Sequence, residues 1–246
     1  MNSRENSSGV YLLPNLFTTA SLFAAFYAIV ASFKSQYEAA IIAIFIGMIA
    51  DSLDGRIARL TNTQSAFGAQ YDSLSDMVTF GVAPALLLYS STLQQLGKIG
   101  WLVAFIYTAT VALRLARFNT KVGTVDKRYF QGLACPAAAA LVSSFVWLCH
   151  QHQNHHIIIS LITAMLTIIA SALMVSNIRY HSFKEVDFKG HVPFLYLLLM
   201  IILFVAIAAN PSLILFTGFV IYALSGPIQL LIKLKRIHSQ KKSSNE

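Results

Sequence analysis

Charge is scarce in this sequence. Of its 246 residues only 11% are Asp, Glu, Lys or Arg, whereas 56% are hydrophobic and the mean hydropathy is +0.63. A soluble domain carries about 25% charged residues, so an all-round water-facing surface is excluded and an integral membrane protein is indicated. Proline is also sparse, at six residues, and no Pro/Gly/Ser-rich stretch interrupts the chain, so nothing marks off a second domain. Residues 1–246 read as a single membrane domain with a short polar segment at 1–10 and a basic tail at 232–246. No internal repeat stands out. The two cysteines, Cys135 and Cys149, fall at opposite ends of one apolar run. At about 1.5 Å of helical rise per residue they are ~20 Å apart, beyond the ~7 Å Cα limit for a disulfide, so they read as two packed thiols.

What the chain has in abundance is apolar runs of roughly the 20 residues that a helix needs to cross hydrocarbon. Eight are read: Leu12 to Phe33, Tyr37 to Ala58, Gln70 to Leu93, Ile99 to Phe118, Phe130 to Leu148, His156 to Ser176, Val192 to Ala208 and Ser212 to Leu231. The short turn at Asn210 and Pro211 leaves a seven-span count open. The expected fold is therefore all-α, a polytopic helical bundle of about eight transmembrane helices. The first run is too long for the apolar part of a signal peptide and is read as retained.

Alternating the loops across the membrane puts Arg4, Arg56, Arg59, Arg114, Arg117, Lys121, Lys127, Arg128, Arg179, Lys184, Lys189 and the basic tail on one side, and only Lys34 and Lys98 on the other. That asymmetry predicts both termini in the cytoplasm. It also accounts for most of the net charge of +8 as an orientation and lipid-headgroup signal, without nucleic acid as a partner.

Against this background the stretch DSLDGRIARLTNTQSAFGAQYDSLSD, from Asp51 to Asp76, is anomalous. Asp51 and Asp54 are spaced i, i+3 at the cytoplasmic end of the second run, and Asp72 and Asp76 are spaced i, i+4 at the start of the third. Each pair shares a helix face. Antiparallel neighbours joined by a short loop would aim both pairs at one place, where four carboxylates repel one another unless cations sit among them. Hard divalent ions, Mg²⁺ or Mn²⁺, accept oxygen ligands and share them with phosphates. Two of them would balance four carboxylates and make a two-metal site for displacement at a diphosphate. Gly55 and Gly68 permit close backbone approach, Ala58 leaves room, and Arg59 offers a planar fork for phosphate. The alternatives are a structural ion network with Arg56 and Arg59, or a cation path through the membrane.

The pattern D-x2-D-G-x2-A-R-x8-G-x3-D-x3-D, carried by Asp51, Asp54, Gly55, Ala58, Arg59, Gly68, Asp72 and Asp76, resembles the signature of the CDP-alcohol phosphatidyltransferase family. The resemblance implies metal ligation by Asp51, Asp54, Asp72 and Asp76, with Asp76 also the base. It implies further that Arg59 and the small residues hold the CDP diphosphate, and that a phosphatidyl group passes from a CDP-linked lipid to an alcohol with release of CMP. Other stretches, LPNLFTTASLFAAFYAIV from Leu13, ALRLARFNT from Ala112, YFQGLACPAAAA from Tyr129 and LMVSNIRYHSFKEVDF from Leu173, resemble the small integral-membrane phosphatidylserine synthases within that family, apart from Ala134 where proline is expected. This points to CDP-diacylglycerol and L-serine as substrates, a homodimer, and a cytoplasmic (inner) membrane of bacterial type with the active site facing the cytoplasm.

Serine presents a carboxylate, an ammonium and a hydroxyl, so its pocket needs a cationic fork and an acceptor near the base. Arg114 with Asn119 is the expected pair. Gln131 opens the next span, and Arg179 is a second carboxylate or lipid-phosphate contact. The alternative for each is a topology anchor at a helix end. Asn15 and Thr18 are candidates to touch the CDP-lipid, unless Pro14 and Asn15 simply start a helix. The histidines from His150 to His156 read as a solvated outer loop, and the Ala20, Ala24, Ala28 stripe as helix packing. Two rival functions stay open: the same chemistry with glycerol 3-phosphate, inositol phosphate or choline as acceptor, and divalent-cation transport.

Overall fold

Small side chains set the first helix contact. In the computed structural model, which describes residues 12–61, 63–120, 129–151, 157–181 and 194–243, α1 (Leu12–Phe33) and α2 (Tyr37–Leu60) form a tight antiparallel pair. Ala24, Ala25, Ala28 and Ala31 of α1 are buried, as are Ala40, Ile41, Ala43 and Ile44 of α2. Little apolar surface is gained by hiding a side chain from lipid, so membrane helices associate through close packing, and alanine and glycine permit it. Gly47 sits in close contact on two sides: a Cβ there would stand 3.4 Å from the Ser21 carbonyl oxygen of α1 and 3.1 Å from Thr79 Cγ2 of the next rod. Ala20, the first residue of the alanine stripe, is exposed.

The third rod is one continuous helix with a change of pitch. It comprises α3 (Ala66–Asp76), a π-helical stretch at Met77–Val82, and α4 (Ala83–Ser91). Ser65 caps its start by accepting from the Gly68 N–H at 2.9 Å, a standard way to satisfy a free helix-start donor. The π stretch begins directly after Asp76. There Tyr107, fully buried on α5 (Lys98–Thr120), donates to the Phe80 carbonyl at 3.0 Å. A short 3₁₀ turn at Leu93–Leu96 leads into α5.

The remaining rods are α6 (Cys135–Gln151), α7 (Ile157–Val175), α8 (Phe194–Ala209) and α9 (Pro211–Ser243). The architecture is that of a helical polytopic membrane protein, with eight rods among the described residues at the positions of the eight apolar runs. Among the described residues, five segments are both long and apolar enough to cross a membrane: Leu13–Phe33, Ala66–Ser91, Lys98–Thr120, Ile157–Val175 and Pro211–Ile232. α2 is long enough but carries the charges of the acidic stretch. α6 and α8, at 17 and 16 residues, are short.

Two features depart from the sequence reading. Strands β1 (Tyr129–Gln131) and β2 (Arg179–His181) pair antiparallel, with Gln131 opposite Arg179. The turn after β1 depends on Gly132, whose φ is +76° and whose Cβ, were there one, would lie 2.2 Å from the Met174 carbonyl oxygen. The Gly132 N–H reaches the Ile178 carbonyl at 2.8 Å and the Leu133 N–H that of Leu173 at 3.0 Å, which anchors the ribbon on the end of α7. The second departure is α9, which continues as helix through Pro227 to Ser243, taking in most of the expected basic tail. Its Gly226 admits the ring of Tyr180, whose hydroxyl donates to the Ala223 carbonyl at 3.0 Å.

Candidate active site

Only five positions of sequence separate Leu60, the end of α2, from Ala66, the start of α3, so the acidic end of one helix faces the acidic start of the next. One ligand oxygen from each of Asp51, Asp72 and Asp76 falls within 4.8 Å of the others. Asp54 stands beside this trio, in electrostatic range of Asp51 and Asp72, and is almost wholly buried, with 5% exposure. The convergence expected of four carboxylates is thus a cluster of three with the fourth adjoining.

What holds the acids is not an arginine. Among the described residues none of the four forms an ion pair with lysine or arginine, and Arg56 and Arg59 are exposed. That observation removes the structural ion network. Asp54 instead accepts a hydrogen bond from Thr18 Oγ1 at 2.7 Å. Asp72 Oδ1 and Asp76 Oδ1 are buried with no hydrogen-bond partner at all. Like charges held this close with unfilled acceptor oxygens are strongly unfavourable on their own, and the donor set, carboxylate oxygens only, is that of a hard divalent cation. The residues present fit such a metal.

Around the cluster, α1 supplies a polar seam. Ser75, between the two acids of α3, donates to the Thr18 carbonyl at 3.2 Å. Ser21 and Thr79 share a bond of 3.2 Å, and Thr19 and Tyr71 one of 2.9 Å. Asn15 Oδ1 lies 3.5 Å from where a Cβ on Gly68 would be, so glycine there leaves Asn15 room at the start of α3. Arg59 folds back on its own helix, with Nη1 3.9 Å from the corresponding position at Gly55. Ala58, one residue before, is half-buried and accepts through its carbonyl from the Thr63 N–H at 3.1 Å. Of these residues, Thr18 and the Gly55 backbone N–H donate to Asp54, Asn15 adjoins Gly68, and Arg59 lies back along α2 toward Gly55.

The residues expected to receive serine divide. Arg114 is half-buried; its Nη1 donates to Cys135 Sγ at 3.2 Å, and its Nε is buried without a partner. Cys135 is itself buried and within electrostatic range of Asp51 and Asp76, which brings Arg114 to the edge of the acidic cluster. Asn119 Nδ2 donates to Ser73 Oγ at 3.0 Å, next to Asp72. Gln131 instead accepts from Arg117 Nη2 at 2.7 Å, and the same guanidinium reaches Asn177 Oδ1 at 2.6 Å and the Val175 carbonyl at 3.2 Å. Arg117 is a clamp between α5, β1 and the end of α7. Arg179 lies in β2 opposite Gln131; its side chain is outside the described residues. So are Lys121, Lys127, Arg128, Lys184, Lys189 and most of the histidine loop, of which His150 packs edge-on to Tyr37.

Sequence reasoning missed that Thr18 holds Asp54, and that Ser73 and Ser75 tie α3 to Asn119 and to the Thr18 carbonyl. The signal available was that two serines flank Asp72 and Asp76 within one turn. It also missed the Arg114–Cys135 contact, for which no local pattern exists.

The site's geometry agrees with similarity to known proteins. The chain is 37% identical over 236 residues, 96% of its length and 98% of the relative's, to a CDP-diacylglycerol–serine O-phosphatidyltransferase of Helicobacter pylori. A protein of the same name from Methanocaldococcus jannaschii is 42% identical over 142 residues, 58% of this chain and 63% of its own. An archaetidylserine synthase of Methanothermobacter thermautotrophicus is 35% identical over 182 residues, 73% of each chain. The family model for CDP-alcohol phosphatidyltransferases matches residues 11–176, which include α1 to α7 and every residue of the acidic signature. Metal dependence is general in that family, and an acidic cluster able to meet it is in place. With its signature folded into one carboxylate cluster and the match running through two thirds of its length, the chain belongs to the CDP-alcohol phosphatidyltransferase family.

Proposed function

We propose that the protein transfers the phosphatidyl group of CDP-diacylglycerol to the hydroxyl of L-serine and releases CMP, working at the cytoplasmic face of a cytoplasmic (inner) membrane. The observation that carries this reading is the trio Asp51, Asp72 and Asp76, with one ligand oxygen from each within 4.8 Å of the others and with Asp72 Oδ1 and Asp76 Oδ1 buried without hydrogen-bond partners. The choice of serine is supported by relatives whose names specify serine as acceptor or a seryl lipid as product and whose similarity extends over most of the chain.

Asp51, Asp54, Asp72 and Asp76 would hold two divalent cations, Mg²⁺ or Mn²⁺, which when bound supply electrostatic stabilisation to the phosphates and to the departing CMP. The protein's own groups do the rest. Arg59 binds the diphosphate from the exposed end of α2, with Gly55, Ala58 and Gly68 leaving the backbone uncovered and Asn15 and Thr18 bordering the CDP-lipid from α1. Arg114 offers its unpartnered Nε to the serine carboxylate, Asn119 helps orient the amino acid, and Gln131 and Arg179 complete that side. Asp76 accepts the proton of the serine hydroxyl as its oxygen bonds to the phosphatidyl phosphorus and the bond from phosphorus to the CMP oxygen breaks. The termini lie in the cytoplasm by the distribution of Lys and Arg, and two copies form a homodimer. Chain 1–246 acts as one domain.

The test is CMP release by purified protein in detergent with CDP-diacylglycerol and Mn²⁺ or Mg²⁺, adding serine, glycerol 3-phosphate, inositol phosphate or choline in turn. Serine-dependent release that chelation abolishes is expected. Release with another alcohol only would overturn the acceptor, and no release with any would return metal transport as the reading.

A further inference from the structure

Thr18 touches both acidic helices at once. Its side-chain hydroxyl donates to Asp54 Oδ2 at 2.7 Å on α2, while its backbone carbonyl accepts from Ser75 Oγ at 3.2 Å on α3, between Asp72 and Asp76. The residue is 3% exposed. The other acceptor near its hydroxyl is the Pro14 carbonyl at 3.2 Å, one turn back on α1. A threonine hydroxyl has a single hydrogen, and the shorter contact to a charged acceptor takes it. Asp54 is also the acid outside the 4.8 Å trio, and besides the Thr18 hydroxyl it meets the Gly55 backbone N–H of its own helix and the charge of Asp51.

We infer that Thr18 is a positioning residue of the metal site, which fixes the Asp54 carboxylate by donating to it and so sets the site's affinity for divalent cations. The inference rests on the two-metal reading above. It differs from a role in contacting the CDP-lipid, because its effect is present before any lipid binds. Groups that orient a metal-binding carboxylate from behind are worth about 10–100-fold in metal affinity, and burial keeps water from replacing the lost donor.

The experiment is a Mn²⁺ titration of detergent-purified protein without substrate, reading free Mn²⁺ by electron paramagnetic resonance, for wild type, Thr18→Val and Thr18→Ser. Thr18→Val keeps the shape and removes the donor, and a Kd raised about 10–100-fold is expected. Thr18→Ser keeps the donor and is expected to bind within a few-fold of wild type. Equal affinity for Thr18→Val and wild type overturns the inference, as does a loss in Thr18→Ser as large as in Thr18→Val. If Thr18→Val melts early or aggregates, Thr18→Ala takes its place in the same comparison with the same criteria. Absence of Mn²⁺ binding by wild type would overturn the metal reading itself, an outcome separable from failure of the role given to Thr18.

Discussion

The acidic ends of α2 and α3, with the stretch of α1 that covers them, contrast with α8. Both regions are helix in a membrane protein. In the first, Thr18, Thr19, Ser21, Ser75 and Thr79 join three helices by side-chain hydrogen bonds around buried carboxylates. In α8 the residues from Leu195 to Val205 are exposed large apolar side chains on successive faces, and its principal neighbour is α9. The family match covers the first region and ends at residue 176, before α8 begins. The difference shows where a membrane protein must be specific: a buried polar group tolerates few arrangements, since each orphaned bond in a low dielectric is expensive, whereas an apolar surface facing apolar lipid is satisfied in many.

The contrast can be broken most severely at Asp76. Asp76→Asn should lower CMP release by about 10³-fold or more while sparing much of the CDP-lipid affinity, since a general base contributes about 10²–10⁴-fold; near-normal turnover would remove Asp76 as base. Next is Arg59, exposed and unpaired with the acids. Arg59→Ala should weaken CDP-lipid binding by about 10–100-fold, the worth of a charge-assisted bond, read as KM for CDP-diacylglycerol with the serine KM little changed. A smaller effect, on stability rather than substrate, is expected at Gly132. With φ at +76° and a carbonyl oxygen 2.2 Å from a would-be Cβ, Gly132→Ala should cost about 1–3 kcal/mol, seen as a lower melting temperature, and should loosen the clamp that Arg117 makes on Gln131. The smallest effect sharpens the comparison from the other side. Met200 on α8 is 71% exposed, and Met200→Leu should shift stability by less than about 0.5 kcal/mol, with turnover unchanged.

Much of the site was legible because spacing and chemistry coincide there. The i, i+3 and i, i+4 separations of the aspartates, with a short turn between their helices, place them together from helix geometry alone. The serine side was less legible. Arg114 and Arg117 are one turn apart on α5 and alike in sequence, yet one keeps an unpartnered Nε near the acids and the other is consumed in three bonds to β1 and the end of α7. Which arginine is occupied depends on acceptors some 14 to 60 residues away in the chain, which no local pattern encodes. The same holds for the β1–β2 ribbon, whose two three-residue strands are too short to announce themselves by alternation.

The amino-acid sequence by itself determined membrane insertion, the helical rods and the acidic signature, because each depends on residue type and on periodicity along one helix. Only the tertiary structure decided that three aspartates share one point while Asp54 is held by Thr18, that Cys135 meets Arg114, and that Arg117 is a strut. Those outcomes depend on which helices pack side by side. That is set by the summed close contacts of alanines, glycines and buried hydroxyls across many residues, and not by any one stretch of the chain.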